Sequence, residues 1–143
     1  MKYSFYGWET ADVLPVNPDY AWVGTPRQLY DILMTLWQAD TCAPRMRDVW
    51  PDRHPSWGQC SITAFLVQDI YGGKVLGVPR DGGNFHCFNQ IGDCVFDITS
   101  EQFGNETLVY EDRPEQFREV HFAKEEKRLR YELLKQRLEE HKC

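Results

Sequence analysis

Apolar residues recur at helical spacing in three stretches of the chain. Leu29, Ile32, Leu33, Leu36 and Trp37 share one face, behind a capping Thr25 and a Pro26 suited to a first turn. Ile62, Phe65, Leu66 and Ile70 predict a second helix that starts near Ser56 and stops before Gly72-Gly73. Ser56-Trp57-Gly58-Gln59 has the form of a capping box, which puts Cys60 in the first turn. From about Ala123 the chain reads as a charged helix that Leu129, Leu133, Leu134 and Leu138, with Tyr131, could dock on the body.

Between the second and third helices the pattern changes to short β-like runs: Lys74–Val78, Phe85–Ile91 and Cys94–Thr99, with Thr107–Tyr110 as a further strand. Gly92-Asp93 predicts a two-residue turn, which sets Ile91 opposite Cys94 and Phe88 opposite Asp97. Phe85, Cys87, Asn89 and Ile91 then share a mostly apolar face with Cys94, Phe96 and Ile98. His86 shares the other face with Asp97, as a diagonal pair with Cβ atoms roughly 7–8 Å apart or less. Residues 41–55 hold three prolines and predict a long loop. The expected layout is a single α+β domain. It has an irregular extension over 1–24, a core over 25–122 and a C-terminal helix over 123–143.

Composition narrows the class. At 143 residues with 42% hydrophobic and 27% charged positions, the chain can bury one core and is not disordered. A net charge of −6 repels phosphate backbones and argues against nucleic acid as a partner. The basic residues near the C-terminus alternate with glutamates, which reads as a solvated, ion-paired face. No apolar run reaches the length of a membrane span, and Met1–Thr10 lacks the form of a secretion signal. The odd set Cys42, Cys60, Cys87, Cys94 and Cys143 then fits reduced thiols in a cytoplasm, with Cys87 and Cys94 as packed thiols.

Cys60 carries the candidate chemistry. A helix start lowers a thiol pKa because unpaired backbone N–H groups favour negative charge, and its own N–H can help hold an oxyanion. Alone, Cys60 reads better as a small buried residue in an apolar helix than as a nucleophile. His86 supplies a base and acid toward that thiol, and Asp97, set among apolar residues, supplies a carboxylate that needs a partner. Gln59 and Trp57 would form the rim, Gln59 either as a further donor to the oxyanion or only as a helix cap. Trp37, Trp50 and His54 read as core or surface-loop residues. A zinc module built on Cys60, His86, Cys87 and Cys94 is a rival, opposed by the lack of a close Cys-x-x-Cys pair and by the opposite faces of His86 and Cys87. No phosphate loop is present, and no cofactor is implied.

The stretch Pro55-Ser56-Trp57-Gly58-Gln59-Cys60-Ser61-Ile62-Thr63-Ala64, with Val67-Gln68-Asp69 and Gly72-Gly73, resembles the Gly-Gln-Cys helix of the YunG-like family, small bacterial proteins of uncharacterised function. Phe85-His86-Cys87-Phe88-Asn89 and Phe96-Asp97-Ile98-Thr99-Ser100-Glu101-Gln102-Phe103 resemble its His-containing strand and its Asp-Leu-Thr-x-x-Gln-Phe segment. Arg130-Tyr131-Glu132-Leu133-Leu134 looks like its C-terminal helix. The family usually has an aromatic pair at Cys87-Phe88 and a small or polar residue at Trp57. The order Cys60, His86, Asp97 also looks like that of papain-like and transglutaminase-like enzymes, in which a cysteine opens a helix packed on an antiparallel sheet. The resemblance implies that architecture but supplies no established substrate; the residues themselves read as a thiol-dependent hydrolase or acyltransferase acting on a small molecule or peptide. A catalytically inactive binding domain on the same fold is the alternative.

Overall fold

The computed structural model describes residues 3–142; Met1, Lys2 and Cys143, with the reading of Cys143 as a free thiol, lie outside them. The chain forms an α+β domain. Helix α1 (Pro26–Leu36) starts where Thr25 and Pro26 predict it, and the Gln28 side chain accepts from the Thr25 backbone N–H at 2.8 Å. Leu29, Leu33 and Trp37 of its apolar face are fully buried. Helix α2 (Cys60–Tyr71) ends at Gly72, whose φ of 78° needs a glycine. Strands β1 (Lys74–Pro79), β2 (Phe85–Ile91), β3 (Cys94–Phe96) and β4 (Glu115–Gln116) form an antiparallel sheet in the order β3-β2-β1-β4. A short α3 (Arg118–His121) leads into α4 (Glu125–His141).

The sheet register is the one the Gly92-Asp93 turn dictates, with Ile91 opposite Cys94 and Asn89 opposite Phe96. One sheet face packs on α2, where the Asn89 side chain donates to the Ala64 carbonyl at 2.9 Å. Cys87, Phe96 and Ile98 join Ile62, Phe65 and Leu66 in the main core. Leu134 and Leu138 attach α4 to the same core, whereas Leu129 is half exposed. Phe5, Ala11, Tyr20 and Val23 are buried there as well, so the irregular N-terminal segment is part of the core rather than a covering.

Four sequence expectations need correction. Thr107–Tyr110 is not a strand. It belongs to the segment after β3 that covers the second sheet face, where Leu108 buries against Val78 and Phe88, and Phe103 and Tyr110 pack on them. The third strand stops at Phe96, and Asp97 instead bridges to Tyr6 of the N-terminal segment. Residues 41–55 are not a plain loop, since 3-10 turns run over Pro44–Asp52. The Ser56–Gln59 capping box is absent: Ser56 is buried, its backbone N–H donates to His54 Nδ1 at 3.1 Å, and its hydroxyl lies 2.8 Å from His54 Nδ1 and 3.3 Å from the Thr99 carbonyl. The tertiary bond to Thr99 displaces the local cap, and α2 begins at Cys60 itself.

Candidate active site

Cys60 is the first residue of α2, and Thr63 N–H is the first to close onto a carbonyl behind it, that of Gln59, at 3.1 Å. The N–H groups of the opening turn have no such carbonyl, so the thiol sits at the positive end of the helix. The approach to it is fixed by Gly58, which has φ +74°; a Cβ there would lie 2.4 Å from Cys42 Sγ. Gly58 N–H donates to Gln102 Oε1 at 3.2 Å, and Gln102 in turn donates to the Thr99 carbonyl at 3.0 Å. The loop before the thiol is therefore tied to the segment that carries Asp97.

His86, in β2, and Asp97 are 2% and 1% exposed, and His86 Nε2–H donates to Asp97 Oδ2 at 2.5 Å. Tyr110 Oη–H donates to the same oxygen at 2.7 Å. Oδ1 accepts from the Thr99 backbone N–H and hydroxyl, each at 3.2 Å. A buried carboxylate needs such donors, and this one has them on both oxygens. With Nε2 committed to Asp97, Nδ1 is the ring atom left to serve the thiol; it is buried and has no hydrogen-bond partner. The Cys60 thiol lies 3.9 Å from the Phe85 carbonyl, beside the ring, and thiol and imidazole act on each other through charge.

The electrostatics favour an ion pair over two neutral groups. Burial raises the Cys60 pKa, but the His86 imidazolium, the Cys87 N–H and the Lys127 ammonium outweigh it and bring the thiol down to about 7. Burial lowers the His86 pKa, but the Asp97 carboxylate and then Cys60 raise it to about 10. Between those values the proton rests on the imidazole and the sulfur is a thiolate. Cys42, Cys87 and Cys94 move the other way, each pushed up chiefly by burial. All four described cysteines are free.

Cys60 and His86 open on a cleft of about 940 Å³. Trp57 lines it, with its indole N–H on the Met46 carbonyl at 3.0 Å and Arg53 stacked over its ring. Gln59 does not line it: the residue is buried and its amide donates to the Gln38 carbonyl at 3.1 Å. His54, read from sequence as a surface-loop residue, lies on the cleft wall, 3.3 Å from the Tyr30 hydroxyl and 3.6 Å from a Glu101 oxygen. Tyr110, Gln102, Lys127 and His121 complete the surroundings; of these Gln102 falls in the segment that resembles the family's Gln-Phe motif, and the other three carried no local sequence signal. Among the described residues, no three His, Cys, Asp or Glu side chains converge as a set of metal ligands.

Fold and site together define a small α+β domain with a helix-start thiol beside a buried imidazole–carboxylate pair. The family model described as YunG protein matches residues 25–142, and the chain belongs to that family. It is similar to the Uncharacterized protein YunG of Bacillus subtilis (strain 168), with 43% identity over 54 residues. That stretch is 38% of this chain and 46% of the relative, so the match spans less than half of the relative's length. No solved structure matches the chain. Among the described residues no helix is long and apolar enough to cross a membrane.

Proposed function

We propose that this protein is a thiol-dependent hydrolase or acyltransferase built on a papain-like or transglutaminase-like arrangement of Cys60, His86 and Asp97. The observation that carries the reading is the buried His86–Asp97 hydrogen bond, with His86 and the helix-start thiol of Cys60 lining one cleft. In this scheme the Cys60 thiolate attacks the carbonyl carbon of an amide or related acyl bond. A C–S bond forms, and the carbonyl electron pair moves to oxygen, where N–H groups of the α2 start stabilise it. As the pair returns, the C–N bond breaks and the His86 proton passes to the departing amine. Water, or an amine acceptor, then adds to the thioester, gives its proton to His86 and releases the acid or new amide with the sulfur as leaving group. Asp97 holds the imidazole by Nε2 and stabilises its protonated form, as the third member of a triad does.

A chromogenic ester tests this reading. With p-nitrophenyl acetate, the protein is expected to release a burst of p-nitrophenolate equal to the amount of chain. An acetyl group should then be found on Cys60 by mass mapping. Cys60→Ser should abolish both. No burst and no adduct at pH 7–9, with the protein folded, would favour a binding domain that keeps the fold without the reaction.

A further inference from the structure

Lys127 comes from the opening turns of α4 and lines the same cleft as Cys60. Its ammonium is partly buried and hydrogen-bonds to His121 Nδ1 at 3.0 Å. His121 Nε2–H donates to Gln116 Oε1 at 2.9 Å, which leaves Nδ1 as an acceptor and fixes the neutral tautomer. The ammonium is thus braced from the edge strand β4 through a buried imidazole. Among the described residues Lys127 has no carboxylate partner, although a half-buried charge gains from one. It also lies close enough to Cys60 for the two charges to act on each other.

The rest of the cleft points the same way. Lys124, Arg45 and Arg53 line it without an ion-pair partner among the described residues; of the carboxylates that line it, Glu106 is taken up by Arg80 at 2.8 and 3.0 Å and Glu101 lies 3.6 Å from His54, while Asp52 and Asp81 offset part of the positive charge. In a chain of net charge −6, Lys and Arg still outnumber Asp and Glu on the walls of this cleft, which reverses the prevailing sign by a small margin. We propose that the acyl substrate is anionic, with a carboxylate near the bond to be cut, and that Lys127 binds this carboxylate and orients the carbonyl over the sulfur. This rests on the thiol acyl-transfer reading above and adds the substrate class. The carboxylate can be an acidic side chain or a chain terminus; Lys127 meets the same chemistry in either. Lys127 is a specificity-determining residue in this account.

Iodoacetate and iodoacetamide are matched probes that differ in charge. Each transfers its alkyl carbon to the thiolate and releases iodide. Their rate ratio at Cys60, read by mass mapping, cancels the thiolate fraction and isolates the preference for a carboxylate. Lys127→Met is expected to lower the iodoacetate-to-iodoacetamide ratio about tenfold, as loss of one charge in a partly shielded cleft should. Lys127→Arg should retain it, and raising salt to about 0.5 M should depress it in the unmodified protein. A ratio unchanged in Lys127→Met, with Cys60 still labelled selectively, overturns the carboxylate site and leaves the thiol reading standing. No selective labelling of Cys60 by either reagent overturns both. Should Lys127→Met fail to fold, the exposed Lys124→Ala and the salt series decide: a ratio flat in both overturns the proposal.

Discussion

Asp97→Asn separates the two tasks the carboxylate performs, because it keeps the shape and changes the hydrogen-bond chemistry. Asp97 accepts from His86 and Tyr110 on one oxygen and from the Thr99 N–H and hydroxyl on the other. An amide has one acceptor oxygen, so whichever way it turns, two buried donors face an N–H₂. One of each pair is a hydroxyl that can rotate; the other is stranded. Stranding one buried donor costs about 1–3 kcal/mol, and an imidazole that moves its proton to Nδ1 to accept the amide N–H₂ keeps the loss toward the lower end, so the expected loss is roughly 1–3 kcal/mol. For a domain of this length that is a Tm lower by roughly 3–12 °C.

The same substitution removes the largest influence that raises the His86 pKa, and burial then works against the smaller pull that Cys60 still exerts, which favours the neutral ring. Without an imidazolium beside it, the Cys60 pKa returns from about 7 to its ordinary 9.0 or above. At pH 7 the thiolate fraction falls from about one half to about one per cent, roughly fiftyfold. The more basic thiolate is intrinsically more nucleophilic, by about eightfold over two pKa units. The net fall in Cys60 alkylation by iodoacetamide at pH 7 is therefore roughly sixfold, and the pH at which labelling rises should shift upward. An alkylation rate unchanged at pH 7 with a Tm within about 2 °C of the parent would refute this reasoning on both counts.

Two further outcomes follow from the geometry. Gly58→Ala should destabilise the protein by about 1–3 kcal/mol in urea melts, because its φ is +74° and the added Cβ would meet Cys42 Sγ; a change below about 0.5 kcal/mol would mean the loop rearranges freely. His121 has its pKa lowered to about 4 by burial and by the Lys127 and Lys124 charges. The stability from keeping it neutral is present above pH 6.5, its ordinary value, and is lost as pH falls toward 4. His121→Gln should remove about 1–2 kcal/mol of the stability lost between those limits, and melts with the same pH dependence in both proteins would contradict it.

Local pattern made much of this site legible. Alternation in Phe85–Ile91 and the two-residue turn at Gly92-Asp93 set the register, and the register alone puts His86 on the face that Asp97 can reach. Helical spacing after Cys60 placed the thiol at a helix start, although the predicted cap was wrong because Ser56 is drawn to Thr99 from a distant segment. What covers the second sheet face was not legible, since Leu108 and Tyr110 read as strand by composition but lie outside the ladders. The charged pattern of α4 reads as solvated, yet Arg130 is buried on the Thr41 carbonyl at 3.0 Å and Lys127 enters the cleft. Those positions are set by tertiary packing, which helical periodicity of charges does not encode.

The central claim is that Cys60 is a thiolate held by the His86 imidazolium at neutral pH. Ultraviolet absorbance near 240 nm, titrated against pH in the parent and in Cys60→Ser, reads that thiolate directly as a difference. The account predicts one thiolate appearing with a midpoint near pH 7, and the midpoint moving to about 9 or above in His86→Ala. A parent midpoint at 9 or higher, or one that ignores the loss of the imidazole, would contradict it.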